Sequence, residues 1–304
     1  MSATPNTPIP SDLAPGDWAA RESGPRRSIF GNYARADGPP TATSTEEVTT
    51  PGSETVALAL ARAFVYRTLA QAFEYPSRES WTALTSPENL SALLAASASL
   101  QSPVIEQAAV ETRAHLPGCD GDQYHDDYVA VFGHAARGSV PMNEIEYGEP
   151  KADALFQPHR LADLAAFYRA YGLNLAEDAG ERQDHLCVEL EFMSVLAAKE
   201  AYALDGQAGP DALSACRESQ RDYLRDHLGR WAPAFARMLM TRSGAGLLSS
   251  FATLLRSFIE ADCVRFGTTA GADHLVVRQA DEEAERLCDG CGLQHGPPGI
   301  ASEP

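Results

Sequence analysis

Apolar residues recur every three or four positions through most of the chain after residue 52. The first such run stops before Pro76, and its members are Ala57, Leu60, Ala61, Phe64, Val65, Thr68, Leu69, Ala72 and Phe73. This spacing puts the apolar side chains on one face of a helix of about five turns. The sequence therefore predicts a long amphipathic helix that begins near Ser53.

The same periodicity predicts further helices. Weaker stretches lie near 88–115, a short helix ends at Gly133, and a polar connection covers 133–158. Four later stripes are Leu161, Leu164, Ala165, Tyr168 and Tyr171; Leu186, Leu190, Met193 and Ala197; Leu213, Cys216, Gln220, Tyr223, Leu224, His227 and Leu228; and Phe251, Leu254, Leu255, Phe258 and Ile259. Gly172 closes the first of these, and Pro233 is expected in the first turn of a helix.

No alternating pattern typical of β-strands has a useful length, so we expect an all-α, single-domain bundle of about eight to ten helices. The helical pattern bounds this domain at residues 53–268. Residues 1–52 are rich in Pro, Ser, Thr and Gly without periodicity, which predicts a disordered leader. Residues 269–304 are expected to form an acidic tail, partly helical and then disordered.

Charge narrows the possible partners. The 304 residues contain 42 acidic and 24 basic side chains, a formal charge of −18 that argues against nucleic acid or an anionic membrane as partner. The best apolar run, Val56–Tyr66, is interrupted by Arg62 and is too short to span a bilayer, so no membrane insertion is expected. The N-terminus lacks a secretory signal pattern, which favours a cytoplasmic protein with reduced cysteines.

One short segment of the predicted leader stands out. The sequence Arg26-Arg27-Ser28-Ile29-Phe30 resembles the start of a twin-arginine export signal. Residues 31–50 offer no apolar stretch to follow it, so export of this chain is not expected.

Acidic residues are densest between Pro141 and Asp205, where 13 acidic residues face 5 basic ones. Glu144 and Tyr147 lie in one acidic loop, and Glu181, Asp184 and His185 open a predicted helix. Carboxylates bind guanidinium groups through paired, charge-assisted hydrogen bonds. An acidic loop beside a helix start therefore suits a peptide that carries arginine.

The same residues also allow a metal site or an enzyme active site to be considered. Glu181, His185 and Glu189 are spaced by four, so a helical metal-binding protein using His185 and Glu189 is the alternative hypothesis. A di-iron bundle needs Glu-x-x-His pairs from two helices, and this region has none. The chain also lacks a nucleophile elbow, a phosphate loop and a dinucleotide fingerprint, so we expect neither an enzyme nor a bound cofactor.

Ordered motifs over about residues 55–265 carry a family resemblance. They are the runs Pro141–Tyr147, Leu161–Tyr168, Glu181–Leu186 and Glu189–Met193, with Tyr128 and Phe132 upstream and His227, Leu228, Trp231 and Pro233 downstream. The chain resembles the TorD/DmsD/NarJ-like family of molybdoenzyme maturation chaperones. Leu161–Tyr168, Glu189–Met193 and Lys199–Ala201 look most like the branch that serves type II enzymes of the dimethyl sulfoxide reductase family.

The resemblance implies a cytoplasmic, all-helical chaperone. Its partners would be the apo catalytic subunit of a molybdenum oxidoreductase and that subunit's twin-arginine signal peptide, held until the molybdenum cofactor is inserted and export can follow. Carried over by position, the client-binding residues are Glu181, Asp184, His185, Tyr147 and Glu144, to which the helix spacing adds Glu189. The sequence leaves open which enzyme is the client and whether the chain is a monomer or a dimer.

Several of these residues also have simpler structural explanations. Asp184 is a candidate N-cap, and Phe192 and Met193 fit the helical core period. Asp262 is expected to be a buried carboxylate that pairs with Arg265 or Arg256. Cys288 and Cys291, with His295, supply too few ligands for a closed zinc site.

Overall fold

The computed structural model describes residues 28–30, 53–133, 138–148, 156–176 and 179–277. Over these residues the chain forms ten α-helices and no extended strand, which confirms the predicted all-α fold and helix number. The helices are α1 Ser53–Phe73, α2 Arg78–Thr85, α3 Pro87–Ser99, α4 Pro103–His115, α5 Gly121–Phe132, α6 Phe156–Ala170, α7 Leu186–Leu204, α8 Pro210–Asp226, α9 Leu228–Ser243 and α10 Leu247–Arg265.

The centre of the bundle is the pair α1 and α7, which pack along each other. Helix α7 is enclosed on almost every face: 14 of its 19 residues are buried, and all of these except Glu189, Glu191 and Glu200 are apolar. A helix that is apolar all round belongs in a core rather than on a surface. Helices α9 and α10 pack together, α4 lies against α10, and α3 covers α1.

Helix ends follow the sequence signals in several places. Gly133 ends α5 with φ +83°, and Gly172 follows α6 with φ +71°, a left-handed conformation that glycine adopts without strain. The short helix α2 was not predicted, because its eight residues are too few for a clear period. Its N-terminus is fixed by a capping box between Ser77 and Ser80.

Pro233 corrects one expectation. It lies in the interior of α9, at the sixth position, instead of in the first turn. Proline cannot donate to the carbonyl four residues earlier, and here Gly271 N donates to that carbonyl, Gly229 O, at 2.8 Å. Position 271 must be glycine for this approach, since a Cβ there would lie 1.9 Å from Arg230 O. A backbone contact from beyond α10 thus replaces the missing helical bond.

A buried ionic network joins α1, α7, α8 and α10. Arg62 pairs with Asp262 through Nε to Oδ1 at 2.7 Å and Nη2 to Oδ2 at 2.8 Å, and donates to Glu200 at 2.8 Å and Gln220 at 2.6 Å. Burial opposes its charge, but Asp262 and Glu200 raise the pKa of Arg62 above its usual range. Asp262 is buried as expected; its main partner is Arg62, with Arg265 3.6 Å away. Arg256 pairs with Glu260 and Asp273 instead.

The helix that contains Arg62 is also the one to examine for a possible membrane span. Contrary to expectation, one helical stretch of the described chain, Thr55–Phe73, is long and apolar enough to cross a membrane by length and composition alone. However, 67% of that stretch is buried inside the protein, as expected of a core helix.

Two segments outside the expected helical domain contact it. Ser28–Phe30 lies against the bundle, although it falls in the predicted leader. Residues 269–277, assigned to the tail, return to the bundle after α10, where Gly148 N donates to Val276 O at 3.0 Å. The expectations for residues 1–27, 31–52 and 278–304, including Cys288, Cys291 and His295, lie outside the described residues.

Candidate functional site

Glu144 is the centre of a buried ionic cluster. It begins the short 3₁₀ helix Glu144–Glu146 and has no exposed surface. Its carboxylate lies 2.6 Å from Arg160 Nη1, 3.1 Å from Arg230 Nη2 and 3.0 Å from His227 Nδ1. Burial alone would raise its pKa, but the His227 hydrogen bond and the charges of His227, Arg160 and Arg230 hold the pKa of Glu144 below its usual value. The carboxylate is therefore held in its charged form.

Asp184 connects this loop to the start of α7. Its backbone oxygen accepts from Glu144 N at 2.8 Å, and its Oδ2 accepts from Ile145 N at 3.3 Å. Arg182 Nε lies 3.0 Å from Oδ1. Burial raises the pKa of Asp184, against the opposing effects of Arg182 and the Ile145 N–H. Asp184 is fully buried, so it joins two chain segments and does not face solvent.

His185, and not Asp184, is the N-cap of α7. Its Nδ1 accepts from Cys187 N at 3.3 Å. Burial, with a smaller contribution from Arg182, lowers the pKa of His185 to about 4. The neutral ring, which this cap requires, is therefore the dominant form near neutral pH.

Glu189 faces the inside of the bundle. It has no exposed surface and accepts from Trp231 Nε1 at 3.2 and 3.3 Å. Burial, followed by the charge of Glu144, raises the pKa of Glu189 well above its usual value despite the Trp231 hydrogen bond. The side chains of Glu189 and His185 therefore contact different partners.

Within the described residues no group of three or more His, Cys, Asp or Glu side chains could hold a metal ion.

Tyr147 is also enclosed. Its hydroxyl donates to Pro141 O at 2.7 Å, and its ring lies 5.1 Å from that of Trp231. Phe192 and Met193 have no exposed surface, which confirms that they belong to the core. Of the six predicted client-binding residues, Glu144, Tyr147, Asp184 and Glu189 are buried, whereas Glu181 and His185 are partly exposed.

Glu181 lies on the rim of a surface groove. The groove has a volume of about 470 Å³ and is lined by Leu161, Ala165, Tyr168, Arg169, Leu173, Asn174, Leu175, Glu181, Arg182 and Gln183. Its apolar side chains come from α6 and the turn after it. The rim carries both signs of charge, and Arg182 on that rim is engaged by Asp184.

Beside this groove a short segment of the chain itself is bound. The docking face is formed by Tyr168, Leu175, Glu191 and Phe192. Ile29 O accepts from Ala176 N at 2.8 Å, and Phe30 forms an antiparallel bridge with Leu175. The Phe30 ring has no exposed surface and lies 5.2 Å from Tyr168 and 6.5 Å from Phe192.

Glu191 holds the backbone of the same segment. Its carboxylate accepts from the Ser28 hydroxyl and, at 3.2 Å, from Ile29 N. The carboxylate is almost completely buried, with 2% of the residue exposed. This combination of backbone pairing, an apolar pocket and a polar anchor is the mode in which proteins bind extended peptides.

The sequence did not single out several of these residues. Arg160 and Arg230 carried no motif of their own. The sequence placed His227 only in a helical stripe and in the resemblance, although its ring bonds Glu144 and, at 3.2 Å, Asp163. Glu191 was noted only within a helical run. Its partners are 162 and 163 residues away, a separation that no local pattern reveals.

Comparison with known proteins finds a matching family model and several similar curated proteins. The family model described as "Nitrate reductase delta subunit" matches residues 97–237, a range that contains α4 to α8, the first part of α9 and all six predicted site residues. The selenate reductase assembly chaperone protein of Thauera selenatis is 29% identical over 205 residues, which cover 67% of this chain and 89% of the relative.

Two further relatives match shorter stretches. The perchlorate reductase assembly chaperone protein of Dechloromonas aromatica is 28% identical over 137 residues, 45% of this chain and 60% of the relative. The chaperone protein TorD of Vibrio cholerae is 33% identical over 137 residues, 45% of this chain and 59% of the relative. These relatives are named as chaperones and not as enzymes, in agreement with the expectation from sequence. Over these stretches the chain is similar to the nitrate reductase delta subunit family and to proteins named as molybdoenzyme assembly chaperones.

Proposed function

We propose that this protein is a cytoplasmic chaperone that binds the twin-arginine leader and the apo catalytic subunit of a molybdenum oxidoreductase. It holds the subunit until the molybdenum cofactor is inserted, and so delays export. Because the named relatives serve selenate and perchlorate reductases, the proposed client is an enzyme of that type, from the branch that the sequence resembles.

The observation that carries the proposal is the seating of Ser28–Phe30 on the docking face. An extended segment is held there by its backbone and by one fully buried aromatic side chain. A face of this kind suits an extended leader, because main-chain hydrogen bonds give affinity and the side-chain pocket gives selectivity. The formal charge of −18 adds long-range attraction for a basic peptide.

The predicted site residues take two different roles in this proposal. Glu181, partly exposed on the groove rim, contacts an arginine of the leader. Glu144, Asp184, Tyr147 and Glu189 are enclosed, so they hold the acidic loop against α7 and α9. His185 fixes the first turn of α7. The metal-binding alternative is not favoured, because His185 and Glu189 bind separate partners.

Co-purification from the native cytoplasm tests the proposal. The full chain, tagged, should capture the catalytic subunit of a molybdenum oxidoreductase with its leader still attached. Deleting that leader should reduce recovery by at least about fivefold, since the leader supplies the main anchors. Glu181→Gln bait should recover less subunit than Glu218→Gln bait, whose changed residue lies on the exposed face of α8 with 64% of its side chain accessible.

Two results would count against it. Capture of no molybdoenzyme subunit would overturn the chaperone function itself. Equal capture of the intact and leader-deleted subunit would overturn leader binding. The protein would then be a chaperone that recognises the rest of the catalytic subunit.

A further inference from the structure

The docking face is already filled by the chain. Phe30 has no exposed surface, and Ser28 is 3% exposed. A second peptide cannot place an apolar side chain between Tyr168 and Phe192 while Phe30 remains there, because protein interiors are close-packed. Any ligand of this face must displace Ser28–Phe30 first.

The residues that fill it have the composition of a leader. Two arginines, Arg26 and Arg27, come directly before Ser28 in the sequence, and two apolar residues, Ile29 and Phe30, follow it. A twin-arginine leader likewise places paired arginines ahead of apolar residues. The segment and the proposed ligand therefore offer the same kinds of group in the same order.

We propose that Ser28–Phe30 is a built-in competitor for the client leader, which must displace this segment from the docking face. This inference rests on the proposed function. Only 22 residues separate Phe30 from Ser53, the first residue of α1. A tether of that length keeps the segment at a high effective concentration near its site, of millimolar order.

Glu191 makes the exchange selective. When Ser28–Phe30 leaves, this buried carboxylate loses the Ser28 hydroxyl and the Ile29 N–H as donors. A peptide that covers Glu191 as Ser28–Phe30 does, without replacing these donors, would enclose the carboxylate without those two hydrogen bonds, which is costly. A peptide that supplies hydroxyl, N–H or guanidinium donors next to an apolar side chain meets that requirement, whereas a purely apolar peptide does not.

The test titrates a labelled peptide of residues 24–33, Gly24–Tyr33, into full-length chains. In the unaltered chain the tethered segment competes with this peptide, while in Phe30→Ala the anchor is lost and the face is open. Affinity for the peptide should rise at least about fivefold in Phe30→Ala, because apparent affinity scales with the fraction of open chains. Phe266→Ala, which truncates a phenylalanine that packs over Arg62 instead, should bind as the unaltered chain does.

Glu191→Gln, added to Phe30→Ala, should weaken peptide binding again, since an amide accepts these hydrogen bonds less strongly than a carboxylate. Equal affinity in the unaltered and Phe30→Ala chains would overturn the inference. Circular dichroism establishes that each variant keeps its helices.

A second measurement needs no variant. Saturating the unaltered chain with the leader of the co-purified client should accelerate amide hydrogen exchange at Ile29, whose N–H leaves Glu191 when the segment is displaced. Leader binding with unchanged exchange at Ile29 overturns the competitor but leaves the proposed function standing. No leader binding to either the unaltered chain or Phe30→Ala overturns both.

Discussion

The carboxylate of Glu144 and ring Nδ1 of His227 lie 3.0 Å apart, although 83 residues separate them in the chain. The contact fastens the acidic loop between α5 and α6 to the residue that precedes α9. Arg160 and Arg230 complete the cluster from α6 and α9. The acidic loop, which sequence alone assigns to client contact, is therefore held in place by three of its neighbours.

Glu144→Gln should destabilise the protein. The amide removes the charge that compensates Arg160 and Arg230 and changes the hydrogen bond with His227. Loss of one partner from a buried ionic cluster typically costs about 3 kcal/mol. Urea unfolding followed by circular dichroism measures the change.

Glu218→Gln is the matched control for Glu144→Gln. Glu218 forms an exposed pair with Arg221 at 3.3 Å, so its loss should change the free energy of unfolding by less than about 0.5 kcal/mol. If Glu144→Gln were as mild as this control, Glu144 would not be the centre of the cluster.

Glu189→Gln should change how stability depends on pH. The pKa of Glu189 is raised well above 4.5 in the folded protein by burial and by the charge of Glu144. Between 4.5 and that raised pKa the unfolded chain has already lost the proton that the folded chain keeps, so rising pH lowers stability. Glutamine keeps an acceptor for Trp231 Nε1 and carries no proton to lose.

The free energy of unfolding of Glu189→Gln, relative to that of the unaltered chain, should therefore rise with pH above 4.5. The rise is at most about 1.4 kcal/mol per pH unit. Unfolding free energies at several pH values between 5 and 8 measure it. A constant difference across that range would show that Glu189 is ionised in the folded protein as it is in water.

His185 changes the pH dependence of stability in the opposite direction to Glu189, and it does so at lower pH. Burial lowers its folded-state pKa to about 4 from 6.5. Between these values the unfolded chain binds a proton that the folded chain does not, so stability falls as pH decreases from 6.5 towards 4. His185→Asn, which retains an N-cap acceptor, should flatten this part of the curve.

His185→Ala should flatten the same part of the curve and also lose about 1 kcal/mol at every pH, because the cap is gone. Thermal or urea unfolding of both variants separates the two effects. An unchanged slope between pH 4 and 6.5 in both variants would assign that dependence to other groups.

The helices were largely predictable from sequence because their apolar spacing is local. The stripes of α1, α6, α7 and α10 were identified, and Gly133 and Gly172 ended helices as expected. Helix α2 was missed because eight residues hold too little periodicity, and Pro233 was misplaced because its compensating partner, Gly271, is distant in the chain.

The candidate site was only partly predictable. The sequence identified the acidic loop and the start of α7, but it could not tell a buried carboxylate from an exposed one. Whether Asp184 faces solvent depends on Ile145 and Arg182, and the depth of Glu189 depends on Trp231 on another helix. The role of Glu191 depends on residues of the N-terminal region, which carry no helical pattern at all.

The most direct test of leader binding is a titration of the client's synthetic leader peptide into the full-length chain at low and high salt. We expect saturable binding that weakens with salt, because charged contacts contribute, and an affinity lowered about tenfold in Glu181→Gln but not in Glu218→Gln. Absence of saturable binding at low salt to both the full-length chain and Phe30→Ala, with the folded state intact by circular dichroism, would contradict the proposed function.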